Sequence, residues 1–229
     1  MTGPTAEAAL AALAAEGDAG RAAGMAAYHK APRRYLGVPV PRIEALVHDW
    51  RAALDLAGRV ALAGALWDSD IHEARVAAAK LLTQARIRDD GPVWALFCDW
   101  VPQFDGWAVA DHACAVGSRR LMADLSRLDE IERWTEDPSV WVRRAALVVA
   151  LPLARLPHPK PTETAARERV LGWAAGYTPD RAWFIQKAVA WWLRDLSKHD
   201  PARVRSWLDA HGAGLKAFAR KEAGKYLKS

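Results

Sequence analysis

Two stretches of the chain hold residue types whose spacing could do chemistry. In WAVAD, Trp107 and Asp111 lie four apart, so on a helix they share a face one turn apart. An acid in the middle of an apolar helix is a poor choice for packing alone. The matching places in neighbouring repeats (described below) hold Ala74, Arg143 and Gln186. A cation next door suits a face that meets phosphates with one carboxylate among them. A salt bridge from Asp111 to an arginine of an adjacent repeat is the other account, and from spacing alone the stronger one. The second stretch is WFIQKAVAWWLRDLSKHDP, residues 183–201, in which Lys187, Trp191 and Arg194 fall on one helical stripe. Aromatics interleaved with cations suit nucleic acid, since rings stack on bases and sugars while cations neutralise phosphate. An amphipathic helix with a tryptophan-rich core face explains the same pattern, slightly better on spacing alone, and Trp192 is assigned to that core.

Other chemistries find no support. GxxxxGK[ST], GxGxxG and HExxH are all absent. The seven histidines lack metal-ligand spacing, and His112 and Cys114 are two apart on a helix, facing different ways. Neither a metal nor a cofactor is expected. Two cysteines, Cys98 and Cys114, cannot build a disulfide framework, which favours a reducing cytoplasm. No apolar run reaches the roughly 18 residues a spanning helix needs, and no Lys or Arg precedes Arg21, so neither a membrane anchor nor a signal peptide is expected.

The charge is lopsided. Residues 1–115 carry 11 Lys and Arg against 14 Asp and Glu, while residues 116–229 carry 21 against 13, so the net +5 resolves into −3 and +8. A basic half fits a polyanion partner or a plain basic flank equally well.

The elements that must position these residues are helices. Ala (48) and Leu (24) far outnumber Ile (5) and Thr (7), a balance that favours helix over sheet. Apolar residues recur at three- and four-residue steps, with Pro or Gly between blocks. The pattern predicts helices at about 5–16, 19–30, 41–54, 57–66, 70–86, 91–102, 105–117, 126–135, 138–153, 162–175, 181–197, 201–211 and 214–227, with loops at 31–41 and 157–161. A repeat runs through them: an Asp, a cation or His seven residues on, and small apolar residues around it. It starts at Asp68, Asp105, Asp137 and Asp180 and places Arg75, His112, Arg144 and Lys187. Each Asp is expected to cap its helix, and the small residues to permit close packing on a preceding helix. Helix pairs at this period predict an all-α solenoid of about six HEAT-like pairs, residues 1–229 forming one domain with a concave, basic cleft.

Five segments in order complete the pattern: MAAYHK (25–30), YLGVPVPRIEAL (35–46), WAVAD (107–111), WVRRAALV (141–148) and FIQKAVAWWLRDLSK (184–198). In this ordered set the chain resembles the AlkD-type DNA alkylation-repair glycosylases, which are built from HEAT-like repeats. The resemblance covers most of the chain. It implies that Asp111 matches the catalytic Asp, Trp107 the aromatic one turn before it, and Trp191 the second Trp of the cleft. It implies DNA contacts from Arg194 and from Arg144, with Arg143 as the alternative, and a cleft-edge role for Tyr28. Trp183 and Phe184 stand where relatives carry paired aromatics, and Lys187 joins the phosphate-gripping cations. Two positions depart from the pattern: Ala108, where relatives often have an acid, and Trp183, where Phe is common.

The implied activity is hydrolysis of the N-glycosidic bond of N3- or N7-alkylated purines, such as 3-methyladenine and 7-methylguanine, in duplex DNA. Such bases are already cationic leaving groups, and the sugar gains oxocarbenium character as they depart. A carboxylate can stabilise that charge and orient water, and ring faces favour a cation. The expected partner is alkylated duplex DNA, bound by a monomer. The competing class is a non-catalytic HEAT-repeat module for DNA or protein.

Overall fold

A computed structural model describes residues 3–227. Among them fourteen α-helices follow one another: α1 (Ala6–Ala15), α2 (Ala19–His29), α3 (Val40–Ala53), α4 (Leu56–Asp68), α5 (His72–Leu82), α6 (Gly91–Trp100), α7 (Trp107–Ala123), α8 (Leu128–Arg133), α9 (Val140–Val149), α10 (Leu151–Ala154), α11 (Pro161–Gly176), α12 (Trp183–Leu196), α13 (Pro201–His211) and α14 (Ala217–Ala223). No strand occurs among the described residues; a single parallel bridge joins Arg34 to Ile71. The fold is all-α, made of stacked helix pairs. The expected helix over 138–153 is two, because Pro152 has no N–H to continue the ladder and α10 restarts with that proline in its first turn. The chain divides into two compact units between Arg120 and Leu121.

Local signals account for the helix starts. Asp18, Asp55 and Asp200 accept from the backbone N–H three residues on, at 2.7, 2.8 and 3.0 Å, and α3, α6, α11 and α13 carry proline in the first turn.

The repeat aspartates behave differently from expectation. None of the four is the capping residue itself. Asp68 closes α4, and Ile71 precedes α5 with no side-chain cap. Asp137 and Asp180 sit two residues before Ser139 and Ala182, and accept their N–H groups at 2.7 and 2.8 Å. This turn uses one carboxylate oxygen and leaves the other for a cation. In Asp180 that second oxygen takes Arg143 of the previous repeat, at 3.1 and 3.2 Å.

Partners one repeat apart recur in both units. Trp67 donates its indole N–H to Gln103, 36 residues on, at 2.9 Å. Trp192 donates to the Ala150 carbonyl 42 residues back at 3.3 Å, Trp207 to Leu171 36 back at 3.1 Å, and Trp173 to Glu132 41 back at 2.7 Å. Ion pairs keep the same interval: Lys80 with Glu44, Arg155 with Asp195, Arg203 with Glu168. Much of the tryptophan excess is thus structural. Trp67, Trp100, Trp192 and Trp207 are fully buried, and the Trp67 and Trp100 rings stack at 4.3 Å. The indoles of Trp67, Trp192 and Trp207 fill core volume while the single polar atom of each closes a hydrogen bond to a neighbouring layer.

In the first unit the 31–41 loop is held from within. Glu73, fully buried, accepts from the backbone N–H groups of Leu36 (2.9 Å), Gly37 (2.7 Å) and Val38 (3.3 Å). Gly37 has φ +79, and a Cβ there would lie 2.1 Å from the Asp18 carbonyl oxygen, so only glycine lets the loop close on α2.

Candidate functional site

In the first unit, α7 begins at Trp107 and carries Asp111 one turn later, both half-buried. An aromatic cluster sets the Trp107 ring. Tyr28, 69% exposed, meets it edge-on at 5.8 Å, and His29 meets it at 5.3 Å. His29 stacks on His72 at 4.8 Å, and His72 on Tyr35 at 4.8 Å. The AYHK and YLGVPVP segments therefore converge on Trp107. Spacing singled out Trp107, and the family resemblance Tyr28; the role of His29, Tyr35 and His72 was not legible, because three separate segments supply them.

Burial, and then the neighbouring His29, Arg33 and His112, push the His72 imidazole down to about 3. Folded His72 thus stays neutral where unfolded His72, with an ordinary value near 6.5, takes up a proton. The unfolded state binds more protons in that window, so stability falls as pH falls from 6.5 toward 3. Between pH 7 and 5 the loss from this one group is about 2 kcal/mol. Urea unfolding at both pH values should show it in the wild type and lose it in His72→Phe; equal slopes would place the acid sensitivity elsewhere.

In the second unit, α12 and α14 enclose a pocket of about 520 Å³ lined by Trp183, Lys187, Ala190, Trp191, Arg194, Phe218 and Glu222. The structure thus brings together Trp183, Lys187, Trp191 and Arg194. The Lys187 ammonium sits 4.6 Å over the Trp183 ring, and Arg155 lies 5.9 Å from the centre of the Trp191 ring. Arg194 is bound by Glu222, with Asp195 at 3.6 Å. Trp192 points the other way and is core. The far wall is new: Phe218 stacks on Trp183 at 6.0 Å, and Glu222 supplies the only carboxylate lining the pocket among the described residues. Both come from α14, more than thirty residues beyond Trp183, where no spacing rule links them.

The remaining candidates are placed apart from this pocket's lining. Arg143 is engaged by Asp180 and by the carbonyls of Asp137 and Pro138, at 2.7 and 2.9 Å for the carbonyls. Arg144 is 5% exposed, so most of its side chain is packed inside. Phe184 is half-buried, 4.5 Å from Trp141 and 4.9 Å from Trp183. Among the described residues no three His, Cys, Asp or Glu side chains are grouped as metal ligands, and no helix is long and apolar enough to cross a membrane.

Residues 9–227 match the sequence profile of a family described as "DNA alkylation repair enzyme". The chain belongs to that family. Three solved structures share the fold of this DNA alkylation repair family member. One is described as "Predicted DNA alkylation repair enzyme from Enterococcus faecalis", with a TM-score of 0.79 and 23% identity, covering 93% of this chain and 98% of that one. A second, smu.31 from Streptococcus mutans UA159, has a TM-score of 0.61 and 19% identity, covering 82% and 93%. AlkD2 from Streptococcus mutans has a TM-score of 0.61 and 19% identity, covering 83% and 91%. No curated protein matches the chain.

Proposed function

We propose that this repair-family protein is a DNA glycosylase that hydrolyses the N-glycosidic bond of N3- and N7-alkylated purines in duplex DNA and so starts base excision repair. The observation that carries the reading is the carboxylate of Asp111 one helical turn from the clustered ring of Trp107, in a chain whose family repairs alkylated DNA. The bond from C1′ to the base nitrogen breaks, and its electron pair leaves with the base, cancelling the charge that alkylation put there. The Asp111 carboxylate offsets the positive charge growing on the sugar and receives a proton from the water that adds to C1′. Trp107 and Trp191 are assigned to the deoxyribose, where ring faces exclude water and favour the cationic sugar. Lys187, Arg144 and Arg194, with Arg143 as the alternative to Arg144, are assigned to the backbone, which they hold without reading sequence. Tyr28, Trp183 and Phe184 complete the DNA-facing set. No step uses a lysine nucleophile, so the product is an abasic site in an intact strand. The chain is read as one domain working as a cytoplasmic monomer.

A non-catalytic repeat module is the second reading. On its side is the fact that Arg143 and Arg194 are already engaged by Asp180 and Glu222. Mass spectrometry of the supernatant after incubating the protein with methylated duplex DNA separates the two. Free 7-methylguanine or 3-methyladenine with strands intact is the expected result. No free base above a protein-free control, with duplex binding present, would establish the module instead.

A further inference from the structure

A second polar hollow in the first unit has no part in the roles assigned above. It holds about 330 Å³ and is lined by Glu44, Val47, His48 and Arg51 of α3, by Lys80 and the following Thr83 at the end of α5, and by His112 and Ala115 of α7. We propose that this hollow seats a phosphodiester of the DNA backbone, a site that deepens the proposed glycosylase reading and rests on it.

The donor chemistry fits an anion. An ammonium, a guanidinium and two imidazoles line the hollow against one carboxylate. Lys80 is mostly covered, with 19% of its side chain exposed, and projects from a helix end whose Thr83 hydroxyl is already turned to the Ala79 carbonyl at 2.6 Å. Arg51 donates through one terminal nitrogen to the Lys80 carbonyl oxygen, while its buried Nε has no hydrogen-bond partner among the described residues. A second guanidinium stands behind it, since Arg59 donates to the Arg51 carbonyl at 2.7 Å. Positive charge is thus concentrated beyond what Glu44 can balance. Burial and then Lys80 hold the His112 imidazole below its ordinary value, so it offers a neutral N–H.

Glu44 is the replaceable member. Its side chain is 57% exposed, and its recorded hydrogen bond is the one it accepts from Lys80 at 2.7 Å. A phosphate oxygen can take over that ammonium while the carboxylate turns to solvent. The hollow also adjoins the proposed chemistry: His112, which lines it, directly follows Asp111 on α7, and the Asp111 carboxylate acts electrostatically on its imidazole. A phosphate fixed there would set the register of the strand against the carboxylate.

The hollow makes opposite demands on two variants. Glu44→Gln removes the competing carboxylate and should tighten binding to an undamaged duplex several-fold. Lys80→Gln should weaken it several-fold and lower the slope of log affinity against log salt by about 0.9, one phosphate contact. Both are measured by fluorescence anisotropy from about 50 to 200 mM salt, with circular dichroism confirming folded protein. Affinities and slopes equal to wild type in both variants would overturn the site. So would parallel weakening in both, the mark of a structural ion pair. The wild type reports separately on the underlying reading: if it releases methylated base while the variants leave duplex binding unchanged, this inference alone fails; if it neither releases base nor binds duplex, the glycosylase reading fails.

Discussion

Asp111→Asn is expected to lower the release of 7-methylguanine from duplex DNA by about a hundred- to a thousand-fold while leaving binding to the same duplex intact. Asn has nearly the shape of Asp, so α7 and its contacts should survive. What is lost is the negative charge and the ability to accept a proton from water. Removing one preorganised electrostatic group from a reacting centre typically has an effect of this size. In the proposed reaction the alkylated base leaves readily by itself, so the protein's contribution would lie in the sugar's charge and the water, and both are assigned to this one carboxylate. Single-turnover release measured beside anisotropy separates chemistry from binding. Release within a few-fold of wild type would remove Asp111 from the reaction. Equal losses of release and binding would make it a structural or DNA-contacting residue instead.

The second large effect concerns stability. Glu73→Ala is expected to destabilise the folded chain by about 4 kcal/mol, because three loop N–H groups lose the carboxylate that satisfies them and water has poor access to replace it. For a chain of this size that is a fall of roughly 10 °C in the melting temperature. Glu73→Gln keeps one acceptor oxygen but turns an amide donor toward other donors, so it should fall between. The loop carries Tyr35, which stacks on His72 and through it reaches His29 and Trp107, so base release should decline with stability. A melting temperature within about 2 °C of wild type for Glu73→Ala would show that the loop does not depend on this clamp.

Helix placement was largely legible because it depends on local periodicity, proline and capping residues. The thirteen expected segments correspond to the observed helices, with Pro152 splitting one. The roles of Asp137 and Asp180 were misjudged because an Asx turn and an N-cap look alike in sequence; two residues of offset decide whether the second oxygen is free to bind an arginine. The Lys187–Trp191–Arg194 stripe was readable because all three lie on one helix. Phe218, Glu222, His29 and Tyr35 were not, since tertiary packing brings them from other elements and no fixed spacing encodes it. Glu73 shows the same limit: an acid seven residues before Lys80 reads as surface until its partners, some 35 residues earlier, are known.

The partners spaced one repeat apart have a bearing on how such a chain comes together and on how it varies. Each indole or carboxylate reaches 35 to 42 residues to its mate, so every closure spans a similar length and carries a similar loop entropy. No rung needs a distant end of the chain to have been made. Assembly within each unit can therefore grow from a finished helix pair by adding the next, like courses of brick laid on the one below. A flaw in one course strains its two neighbours and spares the rest. Sequence drift is tolerated under that arrangement as long as facing members change together, leaving the residues proposed to act from α7 and α12 on a scaffold that is maintained locally.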